Sequence, residues 1–327
     1  MKAPPRISLI LSATMLSTGA FSEEVVHLQP GSTIEIPRST GKFDFLRVDS
    51  KRRRLLASHE SDGTADYIDL QTQSLIARLK VGGAVDTAVD ADAKFYYVSV
   101  QEDKRVAVVD AESLKEVNSI PVSGPTDAIL FEPKNRLLYV THDDASEVWV
   151  IDPIAAKVVV TIKIPGTPEF MVYDEKADRV YLNIKNKDLV AVIDPSTNSV
   201  IAQWPTAPAT QPHGLALDSG GHRVFVAGGN GKLVAIDTQS GAAAGSVTIA
   251  PSVDQIAFDA AYELLYCAGA NNMSIVSTAG STLAQVGSLA TAATARNVAV
   301  DLASHAVWTT YTNGKNSYAK SWLPPKR

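Results

Sequence analysis

Residues 137–153 read LLYVTHDDASEVWVIDP, and the phrase returns with variations along the chain. FYYVSVQEDKRVAVVDA stands at 95–111, RVYLNIKNKDLVAVIDP at 179–195 and RVFVAGGNGKLVAIDT at 223–238. Each copy joins two short β-branched runs through a polar turn, a pattern of paired strands rather than helices. The acidic residue that closes the first strand of each unit serves as a marker: Asp49, Asp90, Glu132, Asp174, Asp218, Asp259 and Asp301. Successive gaps are 41, 42, 42, 44, 41 and 42 residues, so the chain is a repeat array of seven units. A second marker follows the third strand at Asp69, Asp110, Asp152, Asp194 and Asp237.

Each unit reads as four strands, a to d; in the third they are DAILFE, RLLYVTH, EVWVID and VVVTIKI. Short antiparallel strands repeated radially predict an all-β fold, a seven-bladed β-propeller of four-stranded blades. The seventh unit stops at LPPKR without a fourth strand, whereas STIEIP (32–37) precedes the first unit as an unclaimed d strand. Joining the two closes the ring and removes two exposed sheet edges. Residues 23–327 are therefore expected to form one propeller domain.

Positions that recur at one register belong to the scaffold. Seven residues after the first marker stand Leu56, Tyr97, Tyr139, Tyr181, Phe225, Tyr266 and Trp308, large side chains suited to the space between blades. The next position holds Ala57, Val98, Val140, Leu182, Val226, Cys267 and Thr309, which makes Cys267 a buried, inert core residue. The aspartates of the IDP phrases fall where c–d turns begin, and their carboxylates suit the free backbone N–H groups there.

At YVTH and VWVIDP the repeats resemble the YVTN-type β-propeller repeat of exported bacterial and archaeal proteins. The resemblance covers all seven units and is clearest at Leu138-Tyr139-Val140-Thr141. Units six and seven depart from it, since SIVST and YAKSW lack the terminal Asp. It implies a fold and export; it implies no single activity, because propellers host many.

The chain opens MKAPPRISLILSATMLSTGAFSEE, with Lys2 and Arg6 before an apolar run and Ala20-Phe21-Ser22 after it. That is the layout of a cleavable leader, residues 1–22, and predicts a periplasmic or secreted protein without a membrane span. Removing Lys2 and Arg6 takes the formal charge from −5 to −7, which argues against nucleic acid as a partner. The one basic run, Lys51-Arg52-Arg53-Arg54, reads as a solvated turn. A single cysteine excludes internal disulfides, a CxxCH haem site and cysteine-rich zinc sites.

Subtracting the repeat leaves the candidate site. Five residues before the first marker, at the start of strand a, stand Asp44, Val85, Asp127, Glu169, His213, Asp254 and Arg296, with Asp86 one residue later in unit two. Ten residues after it, at the end of strand b, stand His59, Val100, His142, Ile184, Gly228, Gly269 and Tyr311, and Asp143 extends the third toward solvent. Both registers lie on one face of a propeller, at the mouth of its channel. The Pro-rich connection PTAPATQPHG (205–214) is longer than its counterparts and is expected to form a lip or lid there.

Like charges at one mouth repel unless a cation or a proton relieves them. Two function classes follow. In the first, the acidic, His-containing mouth of a monomeric envelope protein binds a small molecule or another envelope protein. No HExxH, GxSxG, Walker or GxGxxG motif is present, which favours that class. In the second, Asp127, His142, Glu169 and His213 hold a divalent metal for a hydrolase or lyase of lactonase type.

Overall fold

The computed structural model describes Met1, residues 25–280 and residues 282–326; the expected leader, apart from Met1, lies outside the described residues. Seven four-stranded antiparallel sheets follow one another around a ring. Blade 1 runs Leu46–Asp49, Arg54–His59, Thr64–Asp69 and Ser74–Lys80, and the next five repeat that order from the channel outward. Blade 7 takes Ala299–Asp301, Ala306–Thr312 and Ser317–Leu323 from one end of the chain and Gln29–Ile36 from the other. Thr33 pairs with Lys320, Ile34 with Ala319 and Glu35 with Tyr318, so the ring closes as the unclaimed strand requires.

Burial follows position in the blade. Strands b and c are apolar on both faces because each is sandwiched between neighbouring sheets; Val148–Ile151 are fully buried apart from a trace of Trp149. Strand d alternates, as in Lys157–Lys163, because one face of it meets solvent. The core is thus seven packets between blades rather than one centre. Tyr139 packs with Val180 and Leu182 of blade 4, Tyr181 with Val224 and Val226 of blade 5, and Trp308 with Leu55 and Ala57 of blade 1. The following register points the other way, and Cys267 packs against Phe225 of the preceding blade with its thiol pushed upward by complete burial.

Both acidic markers tie turns. Asp69 accepts the amides of Gln71 and Thr72 at 2.8 and 2.7 Å, and Asp152 those of Ile154 and Ala155 at 2.9 Å each. The first marker also reaches the next blade. Tyr96 donates to Asp49 at 2.7 Å, Ser219 to Asp174 at 2.7 Å, and His305 Nδ1 lies 2.7 Å from Asp259.

The basic run is not a solvated turn. Lys51 donates to the Asp92 carbonyl of blade 2 at 2.7 Å, and Arg52 and Arg54 donate to the carbonyls of Ala93 and Ala111. Arg53 turns the opposite way and pairs with the buried Asp301 of blade 7. Four cations in one a–b turn therefore staple blade 1 to both neighbours, beside the seam where the ring closes.

Candidate functional site: the channel mouth

Strand a starts at the mouth in every blade, so its first side chains crowd a small circumference. Asp44 and Asp254 influence each other there, and Asp127 feels Asp44, Glu169, Asp143 and Asp86. Burial, then this ring of like charge, holds the Asp127 carboxyl well above the usual carboxylate range. It makes no hydrogen bond or ion pair with any described residue. Burial, reinforced by Asp254 and Glu60 and opposed by Lys42, pushes Asp44 up to about 7.

Cations offset part of the ring. Lys42 Nζ lies 2.9 Å from Glu60 and 3.5 Å from Asp44, while Lys185 Nζ lies 2.6 Å from Glu169. Arg296 stands 3.4 Å from Asp254. Partial burial works against the Lys42 ammonium, but Asp44 and Glu60 outweigh it and raise its pKa. Among the described residues Asp127 and Asp143 have no cation of their own, and only Asp143 has a hydrogen bond, from Gln101.

Beneath the ring the channel is plugged. Arg47 donates from Nε and Nη2 to the two oxygens of Asp86 at 2.9 and 2.6 Å, and its guanidinium lies 4.2 Å from the centre of the Phe170 ring. Asp86 is fully buried and also accepts the amide of Ile129 at 3.1 Å, which links blades 1, 2 and 3. Phe45 packs beside them, its ring centre 5.0 Å from that of Phe170. Below lies a cavity of about 280 Å³ whose mixed lining includes Arg47, Ser50 and Gln255 as well as Val172, Phe258 and Val300. Asp86, expected at the mouth, is instead a neutralised member of the plug.

His59 and His142 do not join the ring. His59 is fully buried, with Nδ1 3.2 Å from both Asp66 and Ser39 Oγ and Nε2 3.1 Å from the Thr40 carbonyl; its ring stacks on Phe43 at 3.8 Å. His142 stacks on Trp149 at 4.3 Å and pairs with Glu147 at 3.1 Å and Asp144 at 2.8 Å. Its imidazole crosses Gly124 so closely that a Cβ there would stand 1.9 Å from Nε2. Gly82 and Gly166 meet Val100 and Ile184 in the same way, so His142 occupies a slot that neighbouring blades fill with an aliphatic side chain. His213 bonds through Nδ1 to the Gln211 carbonyl at 2.9 Å. Asp143 is exposed and accepts from Gln101 Nε2 at 2.9 Å.

The Pro-rich connection is not a free lid. Thr206 and Ala209 are fully buried, and the Thr206 amide bonds to the Asp188 carbonyl at 2.9 Å. Gln211 donates to Asp188 Oδ1 at 2.7 Å, and Asn230 donates to the Pro208 carbonyl at 2.9 Å.

The proposed metal set fails on geometry. Among the described residues no three His, Cys, Asp or Glu side chains come together in a way that could hold an ion. Asp127 and Glu169 face the mouth while His142 is spent on Glu147, Asp144 and Trp149, and His213 bonds backbone. The lactonase-type reading therefore has no donor set behind it.

Three features escaped the sequence reading. Lys42, Glu60 and Lys185 lie in irregular connections where no register announces them. Arg47 was legible: two residues before the marker the other blades carry Ala88, Leu130, Val172, Ala216, Ala257 and Ala299. The third is a cavity between blades 6, 7 and 1, about 490 Å³ in volume, lined by Lys42, Phe43, Asp254 and Arg296 among others.

The family model described as "Domain of unknown function (DUF5074)" matches residues 79–294. No curated protein matches the chain. Among solved structures, a chain of the mitotic checkpoint complex superposes with a TM-score of 0.78 at 12% identity, covering 98% of this chain and 99% of its own. Kuenenia stuttgartiensis hydrazine synthase gives 0.74 at 15% identity, covering 87% and 96%. The Cps50 (Swd1) β-propeller domain of Myceliophteria thermophila gives 0.72 at 14%, covering 90% and 99%. At such identities the likeness is one of fold. Among the described residues no helix is long and apolar enough to cross a membrane.

Proposed function

The chain belongs to the DUF5074 family, and from that premise we propose that it is an exported propeller of YVTN-repeat type whose acidic channel mouth binds a basic segment of an envelope protein. The observation that carries this reading is the Asp127 carboxyl, without a hydrogen bond or cation among the described residues, ringed by Asp44, Glu169 and Asp143. Such a group costs free energy in the unliganded protein, and a Lys or Arg side chain placed over it removes the cost. Arg47 and Asp86 plug the channel beneath, so the mouth is a shallow seat and not a passage. Residues 1–22 act as the leader, and 23–327 work in the periplasm or outside the cell as a monomer.

The test is capture from an envelope extract on immobilised protein, followed by elution with hexalysine. A partner held by the wild type, released by hexalysine and lost from Asp127→Asn supports the reading. Retention that ignores both Asp127→Asn and hexalysine overturns it.

A further inference from the structure

The cavity between blades 6, 7 and 1 has the size of a small-molecule site, about 490 Å³, and mostly apolar walls. Phe43 is held rigidly beneath it by its stack on His59 at 3.8 Å, and Ala293 and Thr294 form the facing wall. Charges of both signs stand along it. Arg296 donates from Nε to the Ser252 carbonyl at 3.2 Å, and its Nη2 is 3.4 Å from Asp254, too long for a tight pair. Its Nη1 makes no hydrogen bond with the described residues. Asp254 in turn acts electrostatically on Asp44 of the mouth.

Residues 291–296 read TAATAR, and behind this loop lies a second cavity of about 100 Å³ lined by Thr291, Tyr311, Lys320 and Trp322. Among the described residues Thr291 Oγ1 and Trp322 Nε1 are buried without a hydrogen-bond partner. Thr294 is tied to Thr312, whose amide donates to its Oγ1 at 3.0 Å, so the wall beside Arg296 is a held one.

We propose that the larger cavity binds a small zwitterion of the α-amino-acid class with an apolar side chain. The carboxylate takes the unused N–H groups of Arg296, the ammonium sits against Asp254, and the apolar body lies against Phe43 and Ala293. Charge balance selects this class. An anion alone meets Asp254, a cation alone meets Lys42 and Arg296, and a neutral apolar molecule desolvates the Arg296–Asp254 pair without replacing its water. This inference goes beyond partner binding at Asp127 and does not depend on it.

Calorimetric titration of the purified protein with L-phenylalanine and L-leucine tests it, with N-acetyl-L-phenylalanine and L-phenylalaninamide as the arms lacking one charge. At least one free amino acid is expected to bind, with each singly charged derivative about ten-fold weaker or worse, since each forfeits a charge-assisted hydrogen bond. Arg296→Ala is expected to lose binding about ten-fold or more for the same reason, with an unchanged circular dichroism spectrum. Absence of binding by both amino acids at millimolar concentration, equal binding of the derivatives, or indifference to Arg296→Ala overturns the proposal. The Asp127→Asn capture experiment can fail or succeed independently of any of these results.

Discussion

Arg47 grips Asp86 across the channel with two parallel hydrogen bonds of 2.9 and 2.6 Å, and the carboxylate it holds is fully buried. Removing one partner of such a pair leaves an uncompensated charge, at a cost of about 3–5 kcal/mol. Asp86→Ala also strands the Ile129 amide, so its effect should fall at the upper end of that range. Urea unfolding checks this: a marked fall in the midpoint is expected, and an unchanged midpoint contradicts the plug.

The slot over Gly124 makes a separate prediction. Gly124→Ala drives a methyl into an imidazole that Trp149 holds from the other side, and overpacking of this kind costs about 1–3 kcal/mol. His142→Val supplies the aliphatic side chain that Val100 presents under Gly82, so the double variant should recover part of the loss. Thermal unfolding of both variants reads the recovery. If the double variant is no more stable than Gly124→Ala, the packing account of His142 is wrong.

Stability should depend on pH through Asp44 and Asp127. Both have folded-state pKa values above their unfolded ones, so their contribution is fully present below about pH 4. It is lost as pH rises through the folded value, about 7 for Asp44. Asp127→Asn removes one of the two groups and should raise stability at pH 8, since ionising the buried carboxyl is what costs, about 1.4 kcal/mol for each unit by which its pKa is raised. Melting curves of wild type and variant at pH 5 and pH 8 measure it. The difference between the proteins should be larger at pH 8, and a larger difference at pH 5 would refute the assignment.

The seam can be tested by deletion. Without residues 25–36 blade 7 loses its outer strand, and the packet of Ile34 and Ile36 against Leu46, Leu55 and Trp308 goes with it. Each large apolar side chain is worth about 1.5–3 kcal/mol of burial. The shortened chain should aggregate or melt far below wild type, as scattering and calorimetry would show. A monomer with the wild-type melting temperature would mean that closure contributes nothing.

Much of the fold was legible because the repeat is covalently periodic. Spacing between acidic markers counted the blades, and the unclaimed strand at Ile34 and Ile36 told how the ring shuts. The mouth was legible in part: Asp44, Asp127, Glu169, Asp254 and Arg296 share one register, and strand a delivers them to one circumference. His59 and His142 misled because a register fixes where a Cα stands and not where a side chain turns. Their imidazoles fold back onto Phe43 and Trp149 of their own blades. Asp86 misled by one residue, since a step of one along a strand carries a side chain from the rim into the plug. The partners of Lys51 to Arg54 lie on other blades, and only the closed ring brings Asp92 and Asp301 within their reach.

The most direct measurement of the central claim is the calorimetric affinity of the purified protein for hexalysine at pH 8 and at pH 5.5. Raised carboxyl pKa values at the mouth mean that a bound cation displaces protons from Asp44 and Asp127. Binding should therefore tighten markedly from pH 5.5 to pH 8 as Asp44 ionises, weaken with added salt, and be weaker at pH 8 in Asp127→Asn, whose remaining pH dependence comes from Asp44. Binding that is equal at both pH values, or that is unaffected by Asp127→Asn, would contradict a mouth built to receive positive charge.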